Sequence, residues 1–147
     1  GCAVQVRRKR VCLESHGRLH GIRPVRTAPY PGFPTDAQAV LMAALAGGSG
    51  TTMFVENMFD NRYRHVDELS RMGADIQLAG RVAVVTGRPL HGARVHSTDL
   101  RGGAALVVAA LAADGTTQVS GLEHILRGYE GLEDNLAALG ADICLRS

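Results

Sequence analysis

Several features that would mark particular classes of protein are scarce or absent in this chain of 147 residues. It has no tryptophan, three tyrosines and three phenylalanines, so aromatic side chains cannot dominate its core. No apolar run approaches the ~20 residues of a membrane span, and no signal peptide is visible. The net charge of +2 is too small to indicate nucleic-acid binding. We therefore expect a cytoplasmic globular protein that binds neither membrane nor nucleic acid.

Cysteine is also scarce, and its three copies show no pairing typical of a metal site. An odd number of cysteines without such spacing indicates a reducing compartment rather than a disulfide framework. Cys2, Cys12, His16 and His20 make a poor zinc set, because the gap between the two cysteines is too long for a zinc knuckle. We predict that Cys12 and Cys144 pack in the core, and we expect no metal and no cofactor.

Small apolar residues are plentiful instead. The chain is 46% hydrophobic and has 18 glycines, a composition that favours close packing of helices and sheets in an α/β fold. Its length suggests one domain. The one dense basic run, "RRKR" at 7–10, falls at a predicted hairpin tip, where a solvated turn explains it better than a nucleic-acid patch.

An internal repeat of about 65 residues organises the sequence. Thr35-Asp36 recurs as Thr98-Asp99, and "GADI" occurs at 73–76 and again at 140–143. The opening "GCAVQV" resembles "GADIQL" at 73–78, so the first residue falls within a unit. We predict the tail of a preceding unit with its loop at 1–34, and repeat units at 35–97 and 98–147.

Each unit has the predicted order β-α-β-α-β-β. A Thr-Asp N-cap opens the first helix, and the second helix ends before a glycine, Gly73 or Gly140. Two strands that meet at Gly80-Arg81 close the unit. The predicted apolar faces of the first helices hold Val40, Leu41, Ala44 and Leu45, and Ala105, Val108, Ala109 and Ala112. Those of the second helices hold Val66, Leu69 and Met72, and Leu132, Leu136 and Leu139.

Two kinds of charged residue recur in the repeat and allow two interpretations each. Asp36 and Asp99 are either first-turn or N-cap carboxylates, favoured by the helix dipole, or general bases for a hydroxyl or amine. Arg62 and Arg127 are either surface partners of acidic residues or ligands for a carboxylate or phosphate. Arg127 precedes a predicted helix start, where an anion site is natural, and Arg101 has the same ambiguity.

Four stretches in order make the chain similar to UDP-N-acetylglucosamine 1-carboxyvinyltransferase, the enolpyruvyl transferase of peptidoglycan synthesis. They are "TAPYPGFPTDAQA", "NRYRHVDELSRMGADI", "HGARVHSTDLRGGAALVVAALAADGTT" and "HILRGYEGLEDNLAALGADI". The resemblance implies an inside-out α/β barrel lobe, with helices inside and sheets towards solvent. It also implies transfer of enolpyruvyl from phosphoenolpyruvate to the sugar 3-hydroxyl, with release of phosphate. Through peptidoglycan, such an enzyme serves cell-wall growth, cell shape and division.

The resemblance also implies roles for particular residues. Asp36 matches the aspartate that contacts the sugar 3-hydroxyl and is its catalytic base, and Met58 falls at a backbone contact to the substrate. The phosphoenolpyruvate side is implied to hold Asp99, Leu100, Arg101 and Arg127. Three residues depart from the family pattern: Met58 stands for valine, Asp60 for glutamate, and Leu126 for the aspartate before "RGY".

The family's catalytic-cysteine loop, its Lys-Asn pair and its uridine-side arginines match nothing in this sequence. The resemblance therefore implies the C-terminal part of one lobe, a fragment whose partner is the missing N-terminal lobe. We expect such a piece to show no turnover and to self-associate through exposed apolar helix faces. The alternatives are a non-catalytic remnant or interaction module of the same fold, and a 3-phosphoshikimate 1-carboxyvinyltransferase.

Overall fold

The computed structural model describes residues 2–146, and Gly1 and Ser147, the two ends of the predicted repeats, lie outside it. The strands are β1 (Cys2–Arg7), β2 (Arg10–Ser15), β3 (Val25–Arg26), β4 (Thr51–Val55), β5 (Asp75–Ala79), β6 (Val82–Thr86), β7 (Arg94–His96) and β8 (Gln118–Ser120). The helices are α1 (Thr35–Ala46), α2 (His65–Arg71), α3 (Leu100–Leu111), α4 (Glu123–Leu126) and α5 (Leu132–Ala138).

Strand β3, from the segment before residue 35, joins the strands of the first repeat unit in a four-stranded sheet of order β3-β4-β6-β5. Strands β3 and β4 are parallel, with Val25 opposite Phe54. The α1 crossover between them returns the chain to the same end of the sheet. Strands β5 and β6 form the predicted hairpin around Gly80-Arg81, antiparallel to each other and to β4. Alternate residues of β4 and β6 are buried, so one face of the sheet packs on helices and the other faces solvent.

The second unit repeats the parallel crossover. Strands β7 and β8 flank α3 and pair in parallel with Val95 opposite Val119. It differs from the prediction in two places. A short helix, α4, precedes the predicted second helix, and residues 141–146 form no strand. No neighbouring strand offers these residues a hydrogen-bonded ladder within the described chain, and an isolated strand does not hold its conformation.

Helix α1 lies at the centre, between the four-stranded sheet and α3. On the sheet side, Met42 and Leu45 pack against Phe54 and Val85. On the other side, Ala39 and Ala43 pack against Ala105, Leu106 and Ala109 of α3, with Leu69 of α2 and its C-cap residue Met72. Helices α1, α2 and α3 thus pack inside and the sheet lies outside, in agreement with the predicted α/β fold class.

The predicted apolar face of α1 was only partly right. Leu45 is buried, but Val40, Leu41 and Ala44 are half-buried, and the fully buried positions are Met42, Ala43 and Ala46. The prediction failed because α1 is covered on two sides. A helix that is apolar over most of its circumference shows no single apolar face in its sequence. In α3, Ala105 and Ala109 are buried as predicted, whereas Val108 is half-buried and Ala112 is exposed.

Helix α2 agrees with the prediction and α5 does not. Val66, Leu69 and Met72 are buried, and Gly73 follows the helix with a φ of 88°. Gly140 follows α5 in the same left-handed conformation, with a φ of 96°. However, α5 has no buried residue, and Leu139 is 85% exposed.

The repeat is visible in the backbone at the two "LHG" motifs. The Gly21 N–H donates to Ser49 and the Gly92 N–H donates to Asp114, both over 2.7 Å. A Cβ at Gly21 would lie 2.6 Å from the Thr51 carbonyl oxygen, and one at Gly92 would meet Thr116 in the same way. Both positions therefore require glycine, because the strand of the following crossover passes directly against them.

The N-terminal hairpin and two of the three cysteines are exposed to solvent. "RRKR" spans the turn between β1 and β2, as predicted, with Arg7 opposite Arg10. Every residue of this hairpin except Cys2 is exposed. Cys12 and Cys144 are exposed too, so the prediction that they pack in the core was wrong. The reason is that neither the hairpin nor residues 141–146 have a helix layer against them in the described chain.

Candidate active site

The site forms where the N-terminal ends of α1 and α3 lie side by side. Asp99 is the N-cap of α3 and accepts hydrogen bonds from the backbone N–H groups of Arg101 (3.0 Å) and Gly102 (2.9 Å). The predicted N-cap is therefore confirmed for the second unit. In the first unit it was wrong: α1 begins after Pro34, with no side-chain cap, and Asp36 is already inside the first turn.

Asp36, free of capping, pairs with arginines from both units. The Arg101 Nε donates to the Asp36 carboxylate, and Arg62 Nη1 lies 4.0 Å from the same oxygen. Arg62 is held in place by stacking over the Phe59 ring, 4.5 Å from its centroid. The Arg101 hydrogen bond, aided by the Arg101 and Arg62 charges, holds the Asp36 pKa below its usual range. Asp36 is therefore ionised at neutral pH.

This pair contributes little to stability, because the Asp36 side chain is 64% exposed. Exposed ion pairs typically stabilise by only about 0–1 kcal/mol. The hydrogen bond has the reciprocal effect on its donor and raises the Arg101 pKa. The arrangement presents a charged carboxylate and two guanidinium groups to solvent, which suits a ligand with both a hydroxyl and anionic groups.

A cleft of about 280 Å³ lies beside these residues. It is bordered by the start of α1, the loop before α2, and the start of α3, and by three arginines: Arg62, Arg64 and Arg101. Asn61, in the same loop, has a φ of 57°, a conformation that asparagine tolerates better than most residues. The lining also contains Asp60 and Asp99, so the cleft presents charges of both signs, and its loop has a defined shape.

Two buried polar side chains line the same cleft. Gln38 and His65 are 1% and 3% exposed, and neither Gln38 Nε2 nor His65 Nε2 has a hydrogen-bond partner within the described residues. Burial lowers the His65 pKa to about 4, against the opposing charge of Asp99. His65 is therefore neutral at pH 7, packed under the α3 N-terminus where only Gly102 leaves room for it.

The other predicted site residues lie around this centre. Leu100 packs against Gly128, which sets the turn containing Arg127 beside the start of α3. Arg127 is exposed and has no ion pair among residues 2–146. It is the C-cap of α4, so its predicted position just before a helix start was wrong. The Met58 N–H donates to Glu56 (2.9 Å), which leaves the carbonyl as the backbone group of Met58 that can face a ligand.

Sequence reasoning missed two contributors to the site. Arg62 was recognised as the repeat partner of Arg127 but was not placed with Asp36, because helix packing brings them together and no local spacing shows it. Glu56 is 1% exposed and accepts hydrogen bonds from Thr35, which lines the cleft, and from the loop that leads to Arg62. The only indication of Glu56 in the sequence was the position of an acidic residue directly after the apolar strand β4.

Residues 2–146 contain no group of three or more side chains placed to hold a metal ion. No helix in this range is long and apolar enough to cross a membrane.

The relatives that the chain resembles in sequence share one enzyme name. It is 52% identical over 144 residues to the UDP-N-acetylglucosamine 1-carboxyvinyltransferase of Zymomonas mobilis, a match that covers 97% of this chain and 34% of that protein. Coverage is the same for the Thermotoga maritima protein of that name, at 49% identity, and for a Caldanaerobacter subterraneus homologue, at 47%. The chain thus spans about a third of the length of the curated relatives it matches.

Solved structures give the same fold. The enolpyruvyl transferase NikO of Streptomyces tendae superposes with a TM-score of 0.83 at 33% identity, over 97% of this chain and 33% of that one. An EPSP synthase from Acinetobacter baumannii superposes with a TM-score of 0.76 at 19% identity, over 99% of this chain and 37% of that one. The profile of the EPSP synthase (3-phosphoshikimate 1-carboxyvinyltransferase) family matches residues 1–136. The chain therefore belongs to this family of enolpyruvyl transferases.

Proposed function

We propose that this chain forms part of an enzyme that transfers enolpyruvyl from phosphoenolpyruvate to the 3-hydroxyl of UDP-N-acetylglucosamine and releases phosphate. The observation behind the proposal is the cluster of Asp36 with Arg101 and Arg62 beside a cleft lined by three arginines. Identity of 47% to 52% to relatives of that name supports this acceptor over shikimate 3-phosphate, since the solved EPSP synthases are 18% and 19% identical.

The chemistry needs a base at the hydroxyl and cations at the anionic donor. The sugar oxygen bonds to C2 of phosphoenolpyruvate while C3 takes up a proton. Phosphate then leaves with the electron pair of its C–O bond as C3 loses a proton. In this scheme Asp36 accepts the hydroxyl proton, and Arg101 and Arg127 hold the carboxylate and phosphate of phosphoenolpyruvate.

The pairing of Asp36 with Arg101 gives this scheme an order of events. A carboxylate bound to a guanidinium is a weak base, because its pKa is lowered. Phosphoenolpyruvate has more negative charge than Asp36 and competes for Arg101. When Arg101 turns to the donor, the Asp36 pKa rises towards its ordinary value, and the carboxylate becomes a better proton acceptor. The base is thus strengthened only when the donor is present.

Two departures from the family pattern fit this scheme. Leu126 stands where a carboxylate partner for Arg127 would be, and Arg127 is correspondingly free of ion pairs within the described residues. Met58 contributes through its carbonyl, a group that valine also has, so the side-chain difference leaves that contact available.

The proposal includes the rest of the protein. The chain matches only a third of its relatives' length, and Asp36 alone does not supply both the acid and the base that the two steps need. We therefore place the remaining groups on a second lobe, in a cytoplasmic enzyme of peptidoglycan synthesis, and we expect no turnover from residues 1–147 alone.

The test is phosphate release by the full-length enzyme that contains this segment. We expect phosphate with phosphoenolpyruvate and UDP-N-acetylglucosamine together, and none with either alone. Turnover with shikimate 3-phosphate instead would assign the protein to the EPSP synthase reaction, which its family profile keeps open. No turnover with either acceptor would favour a non-catalytic remnant or interaction module. Phosphate release by the 147-residue chain alone would contradict the need for a second lobe.

A further inference from the structure

Glu56 is a buried carboxylate that the proposed reaction does not use. It follows β4 and is 1% exposed. A buried charge is costly unless hydrogen bonds satisfy it. Here four donors do so, three of them at 2.9 Å. These four bonds hold particular segments of the chain in place.

The four donors come from both sides of the site. Thr27 Oγ1 donates to Oε1 and Thr35 Oγ1 donates to Oε2, so one carboxylate joins the two ends of the proline-rich loop at 27–35, which contains Pro29, Pro31 and Pro34. The Met58 and Phe59 N–H groups donate to Oε1 over 2.9 and 3.2 Å. These two bonds fix the loop at 56–62, which leads to Arg62.

Two of the four bonds are made by residues next to the cluster of Asp36, Arg62 and Arg101. Thr35 directly precedes Asp36 in the first turn of α1, a turn that has no side-chain cap of its own. Phe59 is the ring over which Arg62 stacks. Glu56 is therefore connected to the carboxylate of the cluster through Thr35 and to one of its two cations through Phe59.

The second repeat unit shows that the fold itself does not need this carboxylate. Gly121 occupies the position equivalent to Glu56, and the equivalent of Thr35 is Thr98, which is exposed. That unit still forms its parallel crossover and its helix α3. The Glu56 bonds occur only in the unit that contains the proline-rich loop and Asp36.

We propose that Glu56 is a positioning residue, which holds Asp36 and Arg62 in the geometry required for enolpyruvyl transfer by fixing Thr35 and the 56–62 loop. This inference rests on the proposed function. It concerns a residue that touches neither substrate in that scheme and acts through the residues it binds.

The test uses the hydroxyl of Thr35, because removing it breaks only the bond to Oε2 and leaves the three donors to Oε1 in place. In the full-length enzyme, Thr35→Val should lower kcat by about tenfold to a hundredfold, the range typical of a misplaced catalytic group. KM for phosphoenolpyruvate should change less than twofold. Thr35→Ser, which keeps the hydroxyl, should restore kcat. Thr98→Val is the matched control from the other repeat unit and should leave kcat unchanged.

A pH profile separates positioning from a general loss of structure. In the free enzyme, where Asp36 binds Arg101, Thr35→Val should move the acid limb of kcat/KM to higher pH, while circular dichroism at the same pH values shows that the variant remains folded. Glu56→Gln provides a second variant if Thr35→Val does not fold. It keeps one acceptor oxygen and should show the same shift to a smaller extent.

The outcomes are distinct. An active wild type whose Thr35→Val variant keeps its kcat and its acid limb overturns this inference alone, as does an equal loss in Thr98→Val. A wild type that releases no phosphate overturns the proposed function and this inference with it.

Discussion

Asp36 and Asp99 occupy equivalent positions in the repeat and have different tasks. Asp99 caps α3 with two backbone hydrogen bonds, whereas Asp36 lies within α1 and binds Arg101. The difference arises because α1 starts earlier relative to its aspartate, directly after Pro34. Of the two interpretations that the sequence left open, the helix cap applies to Asp99, and the proposed base is Asp36.

Replacement of Asp36 by asparagine should separate catalysis from folding. Asparagine cannot take the hydroxyl proton, so kcat of the full-length enzyme should fall by about 100-fold to 10,000-fold, the usual contribution of a general base. Stability should change by less than about 1 kcal/mol, because the side chain is exposed and caps nothing. Phosphate release and urea denaturation measure the two effects.

The matched control for that experiment is Asp67→Asn. Asp67 is also an exposed carboxylate in the first turn of a helix, α2, and has no ion pair within residues 2–146. It should retain full activity. Near-normal turnover in Asp36→Asn would return Asp36 to a structural role.

His65 predicts a pH dependence of stability. Its pKa is about 4 in the folded chain and near 6.5 when unfolded. The unfolded state thus binds more protons between these values, and the stability present above pH 6.5 is lost as the pH falls towards 4. The expected loss is about 3 kcal/mol.

Urea midpoints measured from pH 7 to pH 4 test this prediction. The slope attributable to this site should disappear in His65→Gln, whereas His16→Gln, which removes an exposed histidine, should keep it. An identical pH dependence in wild type and His65→Gln would show that other groups cause the acid sensitivity.

At the scale of elements, the start of α3 should be more sensitive to mutation than the start of α1. Asp99→Ala removes a cap that satisfies two N–H groups, which should cost about 1 kcal/mol of unfolding free energy. Asp36→Ala removes no cap and should cost clearly less. Equal losses in urea denaturation would mean that the helix dipole, rather than the hydrogen bonds, sets the contribution of both aspartates.

Elements whose partners lie nearby in sequence were predictable. The hairpin at Gly80-Arg81 and the left-handed Gly73 follow from turn residues and apolar spacing. Helix α4 was missed because four residues are too few to show a helical spacing of apolar residues. The exposure of Cys12 and Cys144 was missed because burial depends on a layer of chain that packs from elsewhere.

The candidate site was predictable only in part. Asp36, Asp99 and Arg101 were singled out from the repeat and from resemblance, and they do lie at adjoining helix starts. Which arginine meets Asp36 depends on how α1 packs against α3, and the sequence contains no local mark of it. The part played by Glu56 required the hydrogen bonds of its buried carboxylate to be seen.

At the scale of the whole molecule, the N-terminal hairpin presents an uncovered apolar face. Val4 and Val6 pair across the hairpin with Leu13 and Val11, and all four are exposed, Val6 by 76%. In the equivalent hairpin β5-β6, Ala83 and Val85 are fully buried under α1 and α2. The repeat thus indicates that this face is suited to a pair of helices, and no helix pair covers it within the described residues.

The chain by itself should therefore self-associate through this face. We expect sedimentation velocity over a concentration series to show oligomers that dissociate on dilution. The double variant Val6→Glu and Val11→Lys should shift the chain towards monomer, because the two opposed charges keep their cross-strand pairing while removing apolar area.

Gln5→Glu with Cys12→Lys is the matched control, since these cross-strand partners lie on the opposite face of the hairpin. It should leave association unchanged. A wild-type chain that stays monomeric at every concentration would show that the exposed face is tolerated in water.

The ion pair between Asp36 and Arg101 joins one repeat unit to the next, and this has an evolutionary consequence. Neither copy of the repeat can possess the cluster alone, so it could arise only after duplication, when the two copies were free to diverge. Once this ion pair has formed, substitutions in one copy of the repeat depend on the residue in the other copy. Among relatives that have lost one of the two residues, we expect the other to have changed as well.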